Sequence, residues 1–179
     1  MNGQSFSLEP FPLTDPFPLF KIVGTIGRRT NILTVRYALI GHLTDLVIPE
    51  ATSLPARRNG LWEQTCFELF LARKDSPRYW EFNLSPAGDW NVYRFASYRQ
   101  GMEGETAIRS LPFTVHRESE SLSLVLGLDL DAIVRADQAL EVAVSAVIKQ
   151  RSGKVTHWAL THRGPQADFH CRDSFIIAL

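Results

Sequence analysis

The chain has 179 residues, is 45% hydrophobic, and sets 19 Lys+Arg against 19 Asp+Glu for a formal net charge of zero. That is enough apolar material for one core, and a single domain over 1–179 is expected. There is no bulk charge to hold nucleic acid or an anionic membrane surface, and no apolar run is long enough to cross a bilayer.

The start, MNGQSFSLEPFPL, lacks a basic segment followed by an apolar one, so a cytoplasmic setting is expected. Pro10, Pro12, Pro16 and Pro18 then crowd together. Proline removes a ladder donor, which predicts an irregular lead-in over 1–17 that covers a sheet edge. Apolar residues alternate over Phe20–Ile26 and again over Leu33–Leu39, with turn residues between, which reads as a hairpin. Leu46–Pro49 is a predicted short strand stopped by proline. Residues 53–60 are a loop whose Arg57 and Arg58 read as solvated.

Three runs follow in succession. In Cys66–Leu71, Phe67, Leu69 and Leu71 share one parity while Cys66, Glu68 and Phe70 share the other. Successive strand side chains point to opposite faces, so the run has one apolar and one mixed face. Tyr79–Leu84 does the same, with Trp80, Phe82 and Leu84 set against Tyr79, Glu81 and Asn83. Trp90–Phe95 sets Trp90, Val92 and Arg94 against Asn91, Tyr93 and Phe95. Asp75-Ser76-Pro77 and Ser85–Asp89 are turn chemistry, so a three-strand meander is predicted. Tyr93, Phe95 and Tyr98 read as core or edge aromatics.

Further on, Ile108–His116 is a predicted strand interrupted at Pro112. Leu122–Leu128 carries the cleanest period-two pattern of the chain. Asp129 is placed to cap a short helix through Arg135. Glu141–Lys149, Val155–Leu160 and Phe175–Leu179 complete the strands, with a polar loop at 162–174. One helix against many short strands predicts an all-β, antiparallel β-sandwich of jelly-roll type with at most one or two short helices. The second faces of 122–128 and 142–148 carry small residues, Ser121, Ser123 and Gly127 on one and Ala143 and Ser145 on the other. Small residues leave room for another segment, a ligand or solvent.

The two cysteines, Cys66 and Cys171, form no CxxC pair and read as reduced thiols. Glu68 and Glu81 on neighbouring strands, with Asn83 and Arg94, make a polar surface for a small ligand. An acid–base pair is the catalytic alternative, and ion pairs with Arg36, Arg94 or Arg99 the structural one. His162, Asp168 and His170 share one loop, and no G-x-S-x-G elbow accompanies them to suggest a hydrolase.

The words LWEQTCFELFLA, YWEFNLSPAGDWNVYRFASYRQGM and HRGPQADFHCRDSF, with the order Trp62, Glu68, Trp80-Glu81-Phe82-Asn83, Ser85-Pro86, Gly88 and Trp90, resemble the DOMON-like families of β-sandwich domains. These are related in fold to family-nine carbohydrate-binding modules. The resemblance implies non-catalytic binding of a sugar or similar polar metabolite, with Trp62 and Trp90 as stacking candidates; Trp80 shares the apolar parity of Phe82 and Leu84 and reads as core. The implied ligand-binding set is Trp62, Glu68, Glu81, Asn83, Trp90, Arg94, His162, Asp168 and His170. Haem-binding relatives use Met and His ligands, which makes Met102 the candidate for a haem alternative, and a carboxylate-dependent glycan-acting enzyme is the other. No dense Asp/Asn loop marks a calcium site, so no metal and no cofactor are expected.

Overall fold

The computed structural model describes residues 3–11 and 19–179. Strands β1 (Gln4–Phe11), β2 (Phe20–Arg29), β3 (Ile32–Gly41), β4 (Cys66–Arg73), β5 (Tyr79–Leu84) and β6 (Trp90–Phe95) make the first half. Strands β7 (Glu103–Gly104), β8 (Phe113–Arg117), β9 (Ser121–Asp129), β10 (Leu140–Lys149), β11 (Val155–Ala159) and β12 (Ile177–Ala178) make the second. Neighbours run in the order β7-β6-β5-β4-β10-β11-β1-β2-β3-β9-β8, all antiparallel, with β12 added to β10. The path folds back on itself as two stacked layers, the all-β sandwich that the alternation predicts.

The fold-back happens within β1. Its first half, Gln4–Leu8, pairs with β2 in the first layer; its second half, Glu9–Phe11, pairs with β11 in the second. The predicted lead-in is therefore a strand over these residues. Among the described residues it is paired on one side only past Leu8, an edge position of the kind that tolerates proline. Pro12, Pro16 and Pro18 lie outside the described residues. Gly24 of β2 leaves room for its neighbours within the first layer: a Cβ would stand 2.0 Å from the Arg36 carbonyl oxygen of β3 and 2.4 Å from Cζ of Phe6 on β1.

Between the layers, Ile22, Leu33, Val35, Leu39, Leu124 and Leu126 of the first meet Phe67, Leu69, Phe82, Val92, Val144 and Ile148 of the second, all fully buried. Tyr37 spans the gap, its hydroxyl donating to the carbonyl oxygen of Glu68 at 2.7 Å. A buried hydroxyl without a partner would cost stability; this one ties β3 to the middle of β4. Trp80 is likewise core, its Nε1–H donating to Glu105 Oε2 at 3.0 Å.

Four predicted elements differ. Leu46–Pro49 forms only a bridge from Leu46 to Gln150, with the Val47 amide on the Lys149 carbonyl at 2.8 Å. Past the end of β9, residues 131–134 form a turn and a bend rather than a helix. Asp129 Oδ1 does accept the Asp131 amide at 2.8 Å, but Leu130 and Val134 are drawn into the core and the chain must then reach β10. Pro112 precedes β8 instead of interrupting it, and the last strand is confined to Ile177–Ala178.

A second apolar cluster lies on the outer face of the second layer. Phe70, Ala72, Tyr79, Tyr93, Phe95 and Ala143 are covered there by Phe175 and Phe169 of the C-terminal segment. Among the described residues no such cover lies over the outer face of the first layer, where Ser121, Ser123 and Val125 are half-buried and Gly127 is exposed.

Candidate functional site

The C-terminal segment does not seal the second layer's outer face. Beside the Phe70–Tyr79–Phe175 cluster it leaves a cavity of about 450 Å³, walled by Trp62, Phe95, Met102, His157, Phe169 and His170 and floored by Glu68 and Glu81. That volume falls within the range of small-molecule sites, about 300–1,000 Å³.

Strand register places the floor. Glu68 stands opposite Asn83 and Glu81 opposite Phe70, so the two glutamates are diagonal neighbours on one face. Such neighbours are roughly 7–8 Å apart, close enough to touch one ligand. On the other side of Glu68, β10 presents Ser145. Glu68, Glu81, Asn83 and Ser145 are all buried, at 3%, 5%, 0% and 1% exposure.

The two carboxyls are held differently. Glu81 Oε1 accepts from Asn83 Nδ2 at 2.8 Å, and Asn83 Oδ1 in turn lies 3.7 Å from the Cys66 thiol. Glu81 Oε2 lies 3.7 Å from His170 Nε2. The Glu68 carboxyl, by contrast, takes no hydrogen bond from the described residues, and neither does Ser145 Oγ. Burial, then the neighbouring Glu81 charge, pushes Glu68 well above the usual carboxylate range. Burial also raises Glu81, although the Asn83 hydrogen bond and the Arg99 charge oppose it. Glu81 is thus the better placed to carry charge and Glu68 to hold the proton.

His170 is neutral. Burial and the Arg99 charge lower its pKa to about 4, so its approach to Glu81 is a polar contact between ring and carboxyl rather than an ion pair. Tyr79 sets the ring. Its oxygen accepts the Arg99 amide at 3.1 Å and shares a hydrogen bond with His170 Nδ1 at 2.8 Å, which turns the Nε2 edge of the ring toward Glu81. Arg99 reaches this position through a left-handed backbone, φ 54°, in the turn after β6. A non-glycine residue held in that region is a strain commonly found at functional sites.

A clasp closes one end. Asp168 accepts from the Tyr98 hydroxyl at 2.6 Å and from Arg99 at 2.9 Å, tying the loop after β6 to the C-terminal segment. At the other end Trp62, on the 3-10 turn Leu61–Glu63, is 39% exposed and meets Tyr93 edge-on at 5.9 Å. Tyr93 is fixed by Asn59 and Asn91 through its hydroxyl, each at 2.8 Å.

The structure brings Trp62, Glu68, Glu81 and His170 to the cavity, with Asn83 beneath and Asp168 in the clasp. Three sequence candidates lie elsewhere. Trp90 is 8% exposed and sits under the Arg57 guanidinium, 4.4 Å from its ring centre, so no face is free for stacking. Arg57 itself is not a solvated loop residue, for it donates to Asn91 Oδ1 at 2.9 Å and to the carbonyls of Val92, Glu105 and Ile108. Arg94 pairs with Trp80 across β5 and β6, hence on the face away from Glu81, and binds Glu103. His162 donates to the Glu9 carbonyl oxygen at 2.9 Å and packs on Phe11. Nor does either floor carboxyl form an ion pair with arginine among the described residues.

Sequence reasoning missed His157, Val147, Ala167 and Phe169 as lining residues. For His157 a signal existed: Trp158 is core, so the preceding residue faces the other way, beside Val147 on the adjoining strand. The position of Phe169 carries none. Both cysteines are free thiols, Cys66 buried and Cys171 half-buried. Among the described residues no group of three His, Cys, Asp or Glu is gathered as for a metal ion, and no helix is long and apolar enough to cross a membrane.

No family model matches the chain, and no curated protein matches it. Solved structures do. A candidate carbohydrate-binding protein of Bacteroides uniformis ATCC 8492 superposes with a TM-score of 0.72 at 14% identity, over 97% of this chain and 84% of that one. A family-nine carbohydrate-binding module of Caldicellulosiruptor kristjanssonii, in complex with cellotriose, gives 0.54 at 13% identity over 89% and 73%. A module of the same family and organism with glucose gives 0.50 at 13% over 87% and 74%. At these identities the likeness is one of fold: the chain is a β-sandwich of the family-nine carbohydrate-binding-module type.

Proposed function

We propose that this protein binds a carbohydrate or a similarly polar small molecule, without transforming it, in the cavity over β4, β5 and β10. One observation carries the reading: a cavity of monosaccharide scale whose floor is buried hydrogen-bonding groups and whose walls are aromatic. Sugar rings present apolar C–H faces and polar edges, which suits rings such as Trp62 and Phe95 beside Glu68 and Glu81. The sugar complexes of the structural neighbours support the same reading. A kinship with DOMON-like domains is part of this reading and is supported by the sequence words within 60–102 and 162–175.

The carboxyl arrangement favours binding over hydrolysis. Glycosidase carboxyls flank the scissile bond, whereas Glu68 and Glu81 rise side by side from adjacent strands of one wall. The haem alternative has Met102, His157 and His170 at the cavity, but both His170 nitrogens are directed at protein groups. Absence of a Soret band after incubation with haemin disposes of it.

Isothermal titration of the full chain against a panel of mono- and disaccharides tests the proposal. A saturable heat is expected, weakened at least about tenfold in Trp62→Ala, the size of an aromatic contact at a binding hot spot. A flat response across the panel would remove it.

A further inference from the structure

Glu68 is a buried carboxyl that opens on a cavity and has no partner among the described residues. Ser145 Oγ beside it is equally without one. Buried carboxyls are normally matched by a cation or by donors, and Arg99, which lines the cavity, is already engaged. Arg99 holds Asp168 at 2.9 Å, Arg58 holds Asp89 at 2.7 Å, and Arg172 holds Glu141 at 2.7 Å. Arg57 is taken up by Asn91 and backbone carbonyls. No metal-binding group of three ligands is assembled among the described residues. The aromatic walls, Trp62, Phe95 and Phe169, present ring systems that attract cations when water is excluded.

We propose that the ligand supplies the missing cation: the Glu68–Glu81 floor is an ammonium subsite, and the sugar it selects carries a free, protonated primary amine. This rests on the carbohydrate reading above. The ammonium donates to Glu68 and Glu81, while the ring and its hydroxyls occupy the aromatic end. Empty, the floor balances its charge with a proton held on Glu68. When the ammonium enters, that proton leaves to solvent and both carboxylates are ionised against one cation. The other titratable groups facing the floor keep their forms. His170 is neutral, and burial keeps His157 below its ordinary value and the Cys66 thiol well above its own. Tyr79 and Tyr93 stay protonated, and Arg99 stays paired with Asp168.

Titration calorimetry of the wild-type chain at pH 7 with glucosamine, glucose, N-acetylglucosamine and ethanolamine decides it. Glucosamine is expected to bind at least about tenfold tighter than glucose or N-acetylglucosamine, whose nitrogen is an uncharged amide. Its apparent enthalpy should differ between phosphate and Tris buffers by the release of a proton. In Glu68→Gln the preference should collapse to within about twofold. Equal affinity for glucose and glucosamine, or a buffer-independent enthalpy in the wild type, overturns the ammonium subsite while leaving sugar binding intact. Ethanolamine binding as tightly as glucosamine with no response to neutral sugars overturns the carbohydrate reading and keeps the subsite. Silence from all four removes both. The buffer comparison needs only the wild-type protein, so the proposal stays open to refutation even if the variant fails to fold.

Discussion

Strands β9 and β10 carry the same pattern, large residues on one parity and small ones on the other, yet their second faces meet opposite fates. On β9, Ser121, Ser123 and Val125 remain half in solvent. On β10, Ala143, Ser145 and Val147 are buried, at 5%, 1% and 4% exposure. The difference does not lie in the strands. It lies in what crosses over them: the C-terminal segment lays Phe169, His170 and Phe175 on the β4–β5–β10 face, and nothing comparable among the described residues reaches β9. A face of small residues is therefore a vacancy that a distant stretch of chain fills, leaves open, or fills in part, and the part left unfilled here is the candidate site.

The contrast can be broken most forcefully at its aromatic anchor. Phe70 is fully buried and touches Tyr79, Phe169, His170 and Phe175. Phe70→Ala is expected to cost about 3–5 kcal/mol in urea unfolding, as for other buried phenylalanines. A loss below about 1 kcal/mol would mean that the C-terminal segment does not hold this face. Glu68→Gln works in the other direction. A carboxyl whose folded value is raised binds its proton more tightly in the native state, so its stabilisation is present in acid and is lost as pH rises from the unfolded value through the folded one. The glutamine variant should match the wild type near pH 4 and exceed it at pH 8 by about 1–3 kcal/mol, the range for an unmatched buried polar group. His170 imposes the opposite slope, weakening both proteins as pH falls from 6.5 toward about 4, and cancels in the comparison. Equal stability of the two proteins at pH 8 would show that Glu68 is matched in solution.

A smaller change is expected from Asp168→Ala, which unties Tyr98 and Arg99. These partners are solvent-exposed, so about 1 kcal/mol or less is lost, and amide exchange should accelerate at 97–101 and 166–171 but not in β4. Uniform acceleration throughout the second layer would contradict a local clasp. Val125→Thr on β9 is the smallest, within about 0.5 kcal/mol, as for surface positions generally. A larger loss would mean that this face is covered in solution.

Much of the sandwich was legible because period-two alternation fixes both strand and face. Tyr79–Leu84 and Trp90–Phe95 have the bounds that the alternation predicts, and Glu68 and Glu81 share a face as their parity requires. Parity also placed Arg94 with Trp80, on the far side from the glutamates, a conclusion the sequence allowed and the ligand set overrode. Other features depend on what arrives from elsewhere. Trp90 looked available for stacking because nothing in its neighbourhood shows that Arg57 lies across it. Phe169 and His170 reach the cavity only through the path of the last segment. The helix expected after Asp129 had a cap, but no second apolar turn long enough to outweigh the return to β10.

The shared membership of β1 has a kinetic side. Its first half is joined by a neighbouring hairpin strand, but Glu9–Phe11 must wait for His157–Ala159. Pairings so distant along the polypeptide are the slow ones, and refolding on the scale of milliseconds to seconds is the behaviour of such topologies. Until that late zipper closes, the two layers are coupled through their apolar faces but not through continuous backbone pairing.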